Sequence, residues 1–262
     1  MSLELIQLQA PPTTVVYTSG QIGQLAPGLD LILPCYNPSG NWVESLIGHY
    51  TELTGLLKDT AVQLILVNDG SARGFEQEKI DYLKTAIPDI IIVNYSRNRG
   101  KGYAVREGVK HSKYAFQVCT DLDFPFGVHS VKGVFDRLVQ GADVVAGERG
   151  EAYLDKLPAK RRRITRVSRF LNKMVLNLKV EDAQAGLKGF NAYGRNVLLE
   201  TNIDGFLYDS EFMYQAGKRP HLKIGAVSVA CRSDIQFSSF RTKLLLKEMF
   251  NYCKLVWDSL TV

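Results

Sequence analysis

A regular alternation between two kinds of segment constrains the fold more than any other feature of this sequence. Short runs rich in leucine and β-branched residues, which predict strands, alternate with segments whose apolar residues recur at helical spacing. The predicted strands are residues 29–34, 62–67, 90–93, 115–119 and 142–146, and the predicted helices are residues 42–57, 102–111 and 128–138. Such alternation is typical of a mostly parallel sheet that is flanked by helices on both faces. The sequence therefore predicts a doubly wound α/β fold.

Composition narrows the class of protein. The chain has 262 residues, 45% of them hydrophobic, which suffices for one large core. Its four cysteines, Cys35, Cys119, Cys231 and Cys253, lack the paired spacing of zinc sites or disulfide scaffolds. No apolar run reaches the roughly 18 residues of a membrane-spanning helix, and residues 1–25 lack the pattern of a signal peptide. We therefore expect a cytoplasmic protein, and its net charge of +5 would suit anionic partners.

The second half of the chain differs in character from the first. It carries a basic helical segment at 160–178, a loop at 181–190, an acidic helix around 209–216 and a strand at 222–230. The join between the halves, at residues 147–158, lacks the glycine, serine and proline content of a linker. We therefore predict a leader at 1–28, a single domain at 29–240 with halves 29–150 and 151–240, and a C-terminal amphipathic helix at 241–262.

The residues that follow the predicted strands carry the functional signal. In doubly wound sheets, ligands bind outside the carboxyl ends of the strands. Polar or acidic residues follow four of the predicted strands, at 35–38, 68–71, 96–102 and 121–123. Because the carboxyl ends of parallel strands lie at one edge of a sheet, the sequence predicts a ligand site at that edge.

The most informative of these segments is Thr120-Asp121-Leu122-Asp123. Side chains two residues apart in an extended segment point the same way, so the two carboxylates can converge on one divalent cation. Mg²⁺ or Mn²⁺ held by one or two carboxylates typically completes its shell with phosphate oxygens and water. Such a pair alone is more often a solvated turn, but its place after an apolar strand favours a metal site.

Two further segments suggest contacts with a nucleotide. Asn68-Asp69-Gly70-Ser71 is a common turn, and a carboxylate fixed there could accept a hydrogen bond from a nucleobase. Asn98-Arg99-Gly100-Lys101-Gly102 precedes a predicted helix, whose free N–H groups would bind an anion. Neither segment is a P-loop or a dinucleotide-binding fingerprint, and this argues against NAD.

Taken in order, these motifs resemble glycosyltransferase family 2 of the GT-A fold, over residues 31 to 241. The resemblance depends on Leu33 to Asn37, Val67 to Ser71, Asn98 to Gly102 and Thr120 to Asp123. The stretch from Asp182 to Phe190 is similar to the DTQCGFK stretch of the polyprenyl-phosphate (dolichyl-phosphate) sugar synthases. Residues 206–211 and Arg232-Ser233 are similar to that group as well.

The resemblance implies roles for residues in the first half, which would bind the nucleotide. Contacts with the nucleoside would come from Pro34, Tyr36, Asn37 and Asp69, with Lys101 near it. Asp121 would reach the ribose or the metal, and Asp123 would hold Mg²⁺ or Mn²⁺ against the diphosphate. Dolichyl-phosphate mannose synthases often carry a further metal-binding glutamine two residues later, where this chain has Pro125. The third protein ligand is therefore an open question.

The second half would bind the acceptor. Its basic segment has apolar residues at helical spacing, and the residues predicted to bind an acceptor phosphate are Arg161, Arg162, Arg166 and Gln184. The same arginines fit a solvated charged face or an anionic membrane surface equally well. Stacking aromatics do not interleave with them, so we expect no nucleic-acid partner. The C-terminal helix could dock on the core or lie in the membrane interface.

The resulting prediction is a metal-dependent glycosyltransferase, inverting by resemblance, that moves a sugar from a UDP- or GDP-linked donor to a polyprenyl phosphate. It would work in the cytoplasm, peripherally on a membrane face. A hydroxyl acceptor would need a general base, for which Asp209 and Glu211 are the candidates, although both could instead be helix N-terminal acids. A phosphate acceptor is already nucleophilic at neutral pH. The alternatives are a saccharide or other hydroxyl acceptor, and a catalytically silent protein that binds nucleotide-sugars or anionic membranes.

Overall fold

The computed structural model describes residues 15–18, 21–24, 26–155, 157–174, 176, 178–180, 182–234 and 242–260. Its strands are β1 Val15–Thr18, β2 Gln21–Gln24, β3 Ala26–Cys35, β4 Val62–Asp69, β5 Ile91–Tyr95, β6 Tyr114–Cys119, β7 Val144–Arg149, β8 Lys188–Asn191 and β9 Ile224–Val229. Its helices are α1 Trp42–Leu56, α2 Gln77–Ala86, α3 Lys101–Val109, α4 Gly127–Val139, α5 Glu151–Asp155, α6 Ala159–Met174, α7 Ala192–Leu199, α8 Tyr208–Gly217 and α9 Thr242–Leu260.

Seven of these strands form one sheet in the order β5-β4-β3-β6-β8-β7-β9. Neighbouring strands run parallel except at β8, which is antiparallel to both β6 and β7. Strand β8, from the second half of the chain, therefore lies between β6 and β7 of the first half. The predicted α/β class with a mostly parallel sheet is confirmed.

Helices cover both faces of the sheet because buried residues alternate along its central strands. On β3, Leu31 and Leu33 pack with α1, α2 and α4, whereas Ile32 packs with α3, α7 and α8. On β4, Leu66 and Val67 divide between the same two clusters. The sheet thus has two apolar layers, as a doubly wound fold requires.

The strand ends that carry the predicted motifs lie level with one another. Cys35 of β3 pairs with Asn68 of β4, and Ile32 of β3 pairs with Cys119 of β6. The loops that follow β3, β4 and β6 therefore leave the same edge of the sheet, where the sequence predicts the ligand site.

Several elements differ from the sequence prediction. The strand expected at 29–34 begins earlier, at Ala26. Its pairing with β6 shifts register between Ala26 and Leu29, and Gly28 in this stretch has a φ of 152°. Most of the predicted leader lies outside the described residues, but β1 and β2 pair within it as an antiparallel hairpin. The sequence does not predict helix α2. Its buried residues are Ile80 and Leu83, and so narrow an apolar stripe gives no clear helical period.

The loop predicted at 181–190 ends in β8, which the sequence did not predict. Helix α7 was also not predicted, although Asn191 caps it by accepting from the N–H groups of Tyr193 and Gly194 at 2.9 and 3.3 Å. The helix predicted at 160–178 ends at Met174. The boundaries at residues 28 and 240 remain predictions.

The C-terminal helix α9 docks on the body of the protein along one face. Leu255 is buried in the layer that contains α7 and α8. Glu248 accepts hydrogen bonds from the N–H groups of Phe206 and Leu207 at 3.2 and 3.0 Å, which satisfies donors at the start of α8. Met249, Phe250 and Trp257 are exposed. In the described ranges we find no helix with the length and apolar character that crossing a bilayer requires.

Candidate active site

The loops after β3 and β4 are tied together by Asn37, which has a left-handed backbone with a φ of 48°. Its N–H donates to Ser71 Oγ at 2.8 Å, and its Oδ1 accepts from the N–H groups of Ala72 and Arg73 at 2.9 and 3.2 Å. Asn37 was predicted to contact a nucleoside, and the structure uses its amide oxygen to hold the two loops together. Its neighbour Tyr36 is exposed and open to a ligand, while Pro34 is half-buried at the end of β3.

Asp69 organises the next loop. Its Oδ1 accepts from Tyr95 Oη and the N–H of Arg99 at 2.9 and 2.7 Å. Its Oδ2 accepts from Asn98 Nδ2 and the N–H of Gly100 at 2.8 and 2.9 Å. A carboxylate offers about four lone-pair positions, so these partners use its full capacity. A nucleobase could donate a hydrogen bond to Asp69 only after it displaced one of these four partners. The sequence had suggested a carboxylate that is free to accept.

The N-terminus of α3 is covered, contrary to the anion site predicted there. The carbonyl of Asp204 accepts from the N–H groups of Gly102 and Tyr103 at 2.9 and 3.4 Å. Gly100 and Gly102 lack the Cβ atoms that would collide with the 203–204 backbone. The two glycines therefore serve close packing, and the anion that meets this helix start is the Asp69 carboxylate.

Lys101 and Asp121 form an ion pair at the carboxyl edge of the sheet. The distance from Lys101 Nζ to Asp121 Oδ1 is 2.5 Å, with the Asp121 side chain 40% exposed. Burial opposes the charge on Lys101, but the carboxylates of Asp121 and then Asp209 outweigh it and raise its pKa. A charged lysine is thus held beside the first aspartate of the D-x-D segment.

The D-x-D segment has the donor set of a Mg²⁺ or Mn²⁺ site. Partial desolvation by its loop, and then the charge on Asp121, raise the pKa of Asp123. A divalent cation would relieve this repulsion between like charges, and hard cations prefer carboxylate oxygens. Within the described ranges, no three His, Cys, Asp or Glu side chains are placed to hold a metal together. Phosphate oxygens and water would have to complete the shell around two aspartates.

Asp209 lies behind this site in the core. It is 3% exposed, and its Oδ1 lies 3.3 Å from the Nζ of Lys188, which is 1% exposed. Lys188 also donates to the carbonyl of Ala185. Burial raises the pKa of Asp209 and lowers that of Lys188, and each opposes the other's shift. This geometry gives Asp209 an internal ion pair and does not present it to an acceptor, as a general base would require.

The carboxylate of Glu211 is also hydrogen-bonded within the protein. Its carboxylate accepts from the N–H of Asn202 at 2.9 and 3.1 Å and from the N–H of Ile203 at 2.8 Å. Arg106 fixes the same loop through Thr201 Oγ1, the carbonyl of Ile203 and Asp204. The Glu211 carboxylate is therefore occupied by backbone N–H groups of the protein, and its role as a base stays a prediction.

The four residues predicted to bind an acceptor phosphate differ in their surroundings. Arg166 is exposed and Arg161 is half-buried. Arg162 donates to the carbonyls of Asp155 and Leu157 at 3.1 and 3.3 Å. Gln184 accepts from Ser168 Oγ at 3.0 Å, which ties the 183–186 turn to α6. Of these four, Arg166 is the one most open to a ligand.

The sequence-based prediction assigns no role to Lys188, Arg232 or His49, although Lys188 and Arg232 both belong to segments that resemble the family. Arg232 follows β9, and its Nη1 lies 3.3 Å from the carbonyl of Asp123. The argument that selected residues after other strands would have selected Arg232 too. His49 lies within a helix, and no sequence signal distinguishes it.

The family profile described as Glycosyl transferase family 2 matches residues 30–198, well over half of the chain. A poly-β-1,6-N-acetyl-D-glucosamine synthase of Staphylococcus epidermidis is 30% identical over 100 residues, 38% of this chain and 23% of that protein. An uncharacterized glycosyltransferase of Synechocystis sp. is 30% identical over 136 residues, 50% of this chain and 42% of that protein. The matched stretch spans less than half the length of either relative.

Solved structures with the same fold include glucosyl-3-phosphoglycerate synthase of Mycobacterium tuberculosis. Its complex with Mn²⁺, UDP-glucose and phosphoglyceric acid has a TM-score of 0.58 at 17% identity, over 80% of this chain and 73% of that one. A mannosyltransferase of Pyrobaculum calidifontis, in complex with GDP-mannose and Mn²⁺, has a TM-score of 0.51 at 14% identity, over 83% and 59% of the chains. These similarities show a GT-A type fold.

Proposed function

The chain belongs to glycosyl transferase family 2, and we propose that it transfers a sugar from a nucleotide-sugar to a polyprenyl phosphate, such as dolichyl or undecaprenyl phosphate, at a membrane surface. Inversion at the sugar and a peripheral, cytoplasmic location are parts of this proposal. The donor would carry UDP or GDP, which are the nucleotides bound by the similar structures named above. One observation supports this choice of acceptor: the carboxylates of both candidate bases, Asp209 and Glu211, are already bonded to other groups of the protein.

The donor end of the reaction depends on charge. When bound at Asp121 and Asp123, Mg²⁺ or Mn²⁺ would stabilise the charge that develops on the departing nucleoside diphosphate. Lys101, held charged beside Asp121, adds a fixed positive group at the same place. Because these groups are positioned before the reaction, they need little reorganisation as the bond breaks.

The acceptor end favours a phosphate. An alcohol has to lose a proton to a nearby base, whereas a phosphate monoester has a second pKa of about 6 and is mostly a dianion at neutral pH. Asp209 is paired with Lys188 in the core, and Glu211 accepts from the backbone of residues 202 and 203. An acceptor that needs no base fits this arrangement better than a hydroxyl does.

A direct test compares two acceptors that differ by the phosphate alone, undecaprenyl phosphate and undecaprenol. With a radiolabelled UDP- or GDP-sugar and Mn²⁺, we expect glycosylated lipid from the phosphate and none from the alcohol. In the same assay the folded Asp209→Asn variant should keep kcat within about tenfold of the original chain, since it removes a charge that the reaction does not use as a base. Transfer to undecaprenol, or total loss in Asp209→Asn, would contradict the phosphate acceptor.

A glycine beside the ion pair gives a second prediction. A Cβ on Gly186 would lie 2.6 Å from Asp121 Oδ2 and 3.0 Å from Lys101 Nζ. We expect Gly186→Ala to push the pair apart and lower kcat/KM about tenfold or more, because small displacements of reacting groups are costly. Gly48→Ala is the matched control, since nothing lies within 4 Å of its added Cβ. Equal kcat/KM values for the two variants would show that the pair has no part in turnover.

The membrane part of the proposal is supported by exposed apolar residues on α6. Val167, Phe170 and Met174 follow one another at helical spacing and are all more than half exposed. Arg163 and Arg166 are exposed on the same helix. Exposed apolar residues among basic ones are typical of helices that lie in the interface of an anionic membrane.

The segment before α8 and helix α9 carry further exposed apolar residues near α6. Asn172 of α6 donates to Ser210 Oγ of α8 at 3.4 Å, and Glu248 of α9 accepts from the N–H of Phe206. Phe206 is exposed, as are Met249 and Phe250, the two α9 residues directly after Glu248. Three neighbouring parts of the protein, α6, the segment before α8, and α9, therefore each carry exposed apolar side chains.

We expect Phe170→Glu to weaken binding to vesicles that contain anionic phospholipid about tenfold or more, since burying a phenylalanine contributes roughly 1.5–3 kcal/mol. Co-sedimentation with the vesicles measures this. Tyr82→Glu, which changes an aromatic residue of similar exposure on α2, should bind like the original chain. Equal loss in both variants would indicate a general effect of charge and remove the support that α6 gives to the membrane proposal.

The second candidate function keeps the donor and uses a saccharide acceptor. It is favoured by the partial match to a poly-β-1,6-N-acetyl-D-glucosamine synthase, whose name describes a polysaccharide product. It predicts transfer to a hydroxyl group and a strict need for Asp209 or Glu211. A silent protein that binds nucleotide or membrane would instead show no transfer to either acceptor.

A further inference from the structure

We propose that His49 is a positioning residue that, through Arg232, holds the D-x-D loop in the conformation that binds the metal and the nucleotide diphosphate. The inference rests on the proposed function, because it assumes that Asp123 is a metal ligand. His49 belongs to α1, far from the D-x-D segment in sequence, and none of the recognised motifs includes it.

Arg232 is attached to the D-x-D loop by both its backbone and its side chain. Its N–H donates to the carbonyl of Pro125 at 2.9 Å, and its Nη1 lies 3.3 Å from the carbonyl of Asp123. The carboxylate of Asp234 accepts from the Nε and Nη2 groups of the same guanidinium. These contacts flank Phe124 on both sides. Of the five guanidinium hydrogens, they leave one on Nη1 and one on Nη2 for other partners.

His49 completes the arrangement from the opposite side. Its Nε2 lies 2.6 Å from Arg232 Nη1. A guanidinium has donors and no acceptor, so Nε2 must carry the lone pair and the neutral ring must carry its proton on Nδ1. The Nδ1 atom lies 3.4 Å from Ser45 Oγ on the preceding turn of α1. The imidazole is thus oriented as an acceptor toward Arg232.

The same ring also contacts the loop directly. It stacks on Phe124, with 4.7 Å between ring centroids and 18° between planes. Phe124 is fully buried and has a φ of 46°, a left-handed conformation that a bulky residue adopts at a cost. Contacts from outside the loop must therefore stabilise it, and His49 supplies one to Phe124 and another, through Arg232, to the carbonyl of Asp123.

This support matters because the loop brings few metal ligands of its own. Pro125 stands where a further ligand could follow the two aspartates, and it cannot coordinate a cation through its side chain. With two carboxylates, the affinity for metal depends on how closely their positions match the cation. Contacts that fix the backbone on either side of Phe124 then contribute to metal binding without touching the metal.

Three variants at His49 separate the two contacts. His49→Ala removes the ring and the acceptor, His49→Phe keeps a ring to stack on Phe124 but cannot accept, and His49→Gln offers an acceptor oxygen without the ring. Titration calorimetry with UDP and with GDP, each in the presence of Mn²⁺, measures the affinity for nucleotide. We expect at least about tenfold weaker binding in His49→Ala and His49→Phe, the effect of one hydrogen bond to a charged group, and recovery to within about threefold in His49→Gln.

The matched control is His129→Ala, because His129 is an exposed histidine whose imidazole lies 3.8 Å from Glu52. It should bind nucleotide like the original chain. Unchanged binding in His49→Ala, or a His49→Gln variant as weak as His49→Ala, would overturn the positioning role. A merely structural role would lower thermal stability in all three His49 variants without restoring affinity in the glutamine variant.

A second measurement does not depend on the nucleotide. The ¹⁵N NMR shifts of the His49 ring report which nitrogen carries the proton, and we expect the Nδ1–H form in the original chain and a change in Arg232→Ala. A proton on Nε2 would overturn the inference whatever the ligand. If the original chain binds neither UDP nor GDP, the proposed function fails, and the NMR result still decides whether His49 holds Arg232.

Discussion

Replacing Asp123 by asparagine is expected to lower kcat about 10³-fold or more while leaving the fold intact. The substitution removes one of the two carboxylates that are proposed to hold Mg²⁺ or Mn²⁺ at the donor diphosphate. Charge stabilisation by a metal is worth several kcal/mol in the transition state, and each 1.36 kcal/mol is a factor of ten in rate. The side chain is exposed in the loop, so its loss leaves no buried charge without a partner.

Initial rates of sugar transfer at saturating donor, with Mn²⁺ varied, would measure this effect. Asp81→Asn is a suitable control, because Asp81 lies on α2 and accepts from Gln77 at 2.8 Å on the protein surface. The control should retain full activity. An Asp123→Asn variant that transfers sugar at the original rate would remove Asp123 from the metal site and with it the metal-dependent mechanism.

The largest effect on stability is expected from Asp182, which is nearly fully buried between two arginines. Its carboxylate accepts from Arg149 Nε and Nη2 at 2.5 and 2.8 Å and from Arg169 Nη2 at 2.9 Å. Asp182→Ala would leave both guanidinium groups, which are 12% and 17% exposed, without this partner. Breaking a buried ion pair in this way costs about 3–5 kcal/mol of unfolding free energy.

Urea denaturation would measure the loss. Asp136→Ala is the control, since its ion pair with Lys132 at 2.6 Å is on the surface and should contribute less than about 1 kcal/mol. Similar changes in the two variants would mean that the buried network adds nothing beyond a surface pair. Because Asp182 begins the 182–190 segment, its loss should also loosen the turn that packs against Asp121 and Lys101.

The contacts of Asp182 with Arg149 and Arg169 also make the stability of the protein depend on pH, and the sign follows from the pKa of Asp182. Burial opposes ionisation of Asp182, but the hydrogen bonds and charges of Arg149 and Arg169 outweigh it and lower the pKa of the carboxyl. A carboxyl with a lowered pKa in the folded state contributes stability above its unfolded pKa of about 3.9, and this contribution is lost as the pH falls through the folded value. We therefore expect the free energy of unfolding of the original chain to fall more steeply below about pH 4 than that of Asp182→Ala.

Periodicity and the doubly wound rule were enough to predict the sheet and the edge that holds the candidate site. Leucine and β-branched runs located β3, β4 and β6, and the residues after them include Asp121 and Asp123. These predictions succeed because apolar alternation is a local pattern, and because parallel strands must end at a common edge.

The internal contacts of the site could not be predicted in the same way. Asp69 bonds to residues about 30 positions later, and Glu211 bonds to the backbone of a loop that precedes its helix. Such bonds between side chain and backbone leave no periodic trace, so both residues were expected to face a ligand. Lys188 was missed because a charged residue in a short strand resembles a loop until a buried partner such as Asp209 is known.

The position of β8 has a consequence for how the chain folds. Strands β6 and β7 have no direct pairing in the seven-stranded sheet and are joined through β8, which comes about forty residues after β7 along the chain. Contacts of such long sequence separation form late, because a large loop must close first. During synthesis on the ribosome, β3, β4 and β6 can pair before β8 has been made, so Asp121 is expected to reach the sheet edge well before Lys188 and Gly186 join it. Completion of the candidate site would then coincide with closure of the sheet, and a stalled or shortened nascent chain would present Asp121 and Lys101 without the 183–186 turn that packs against them.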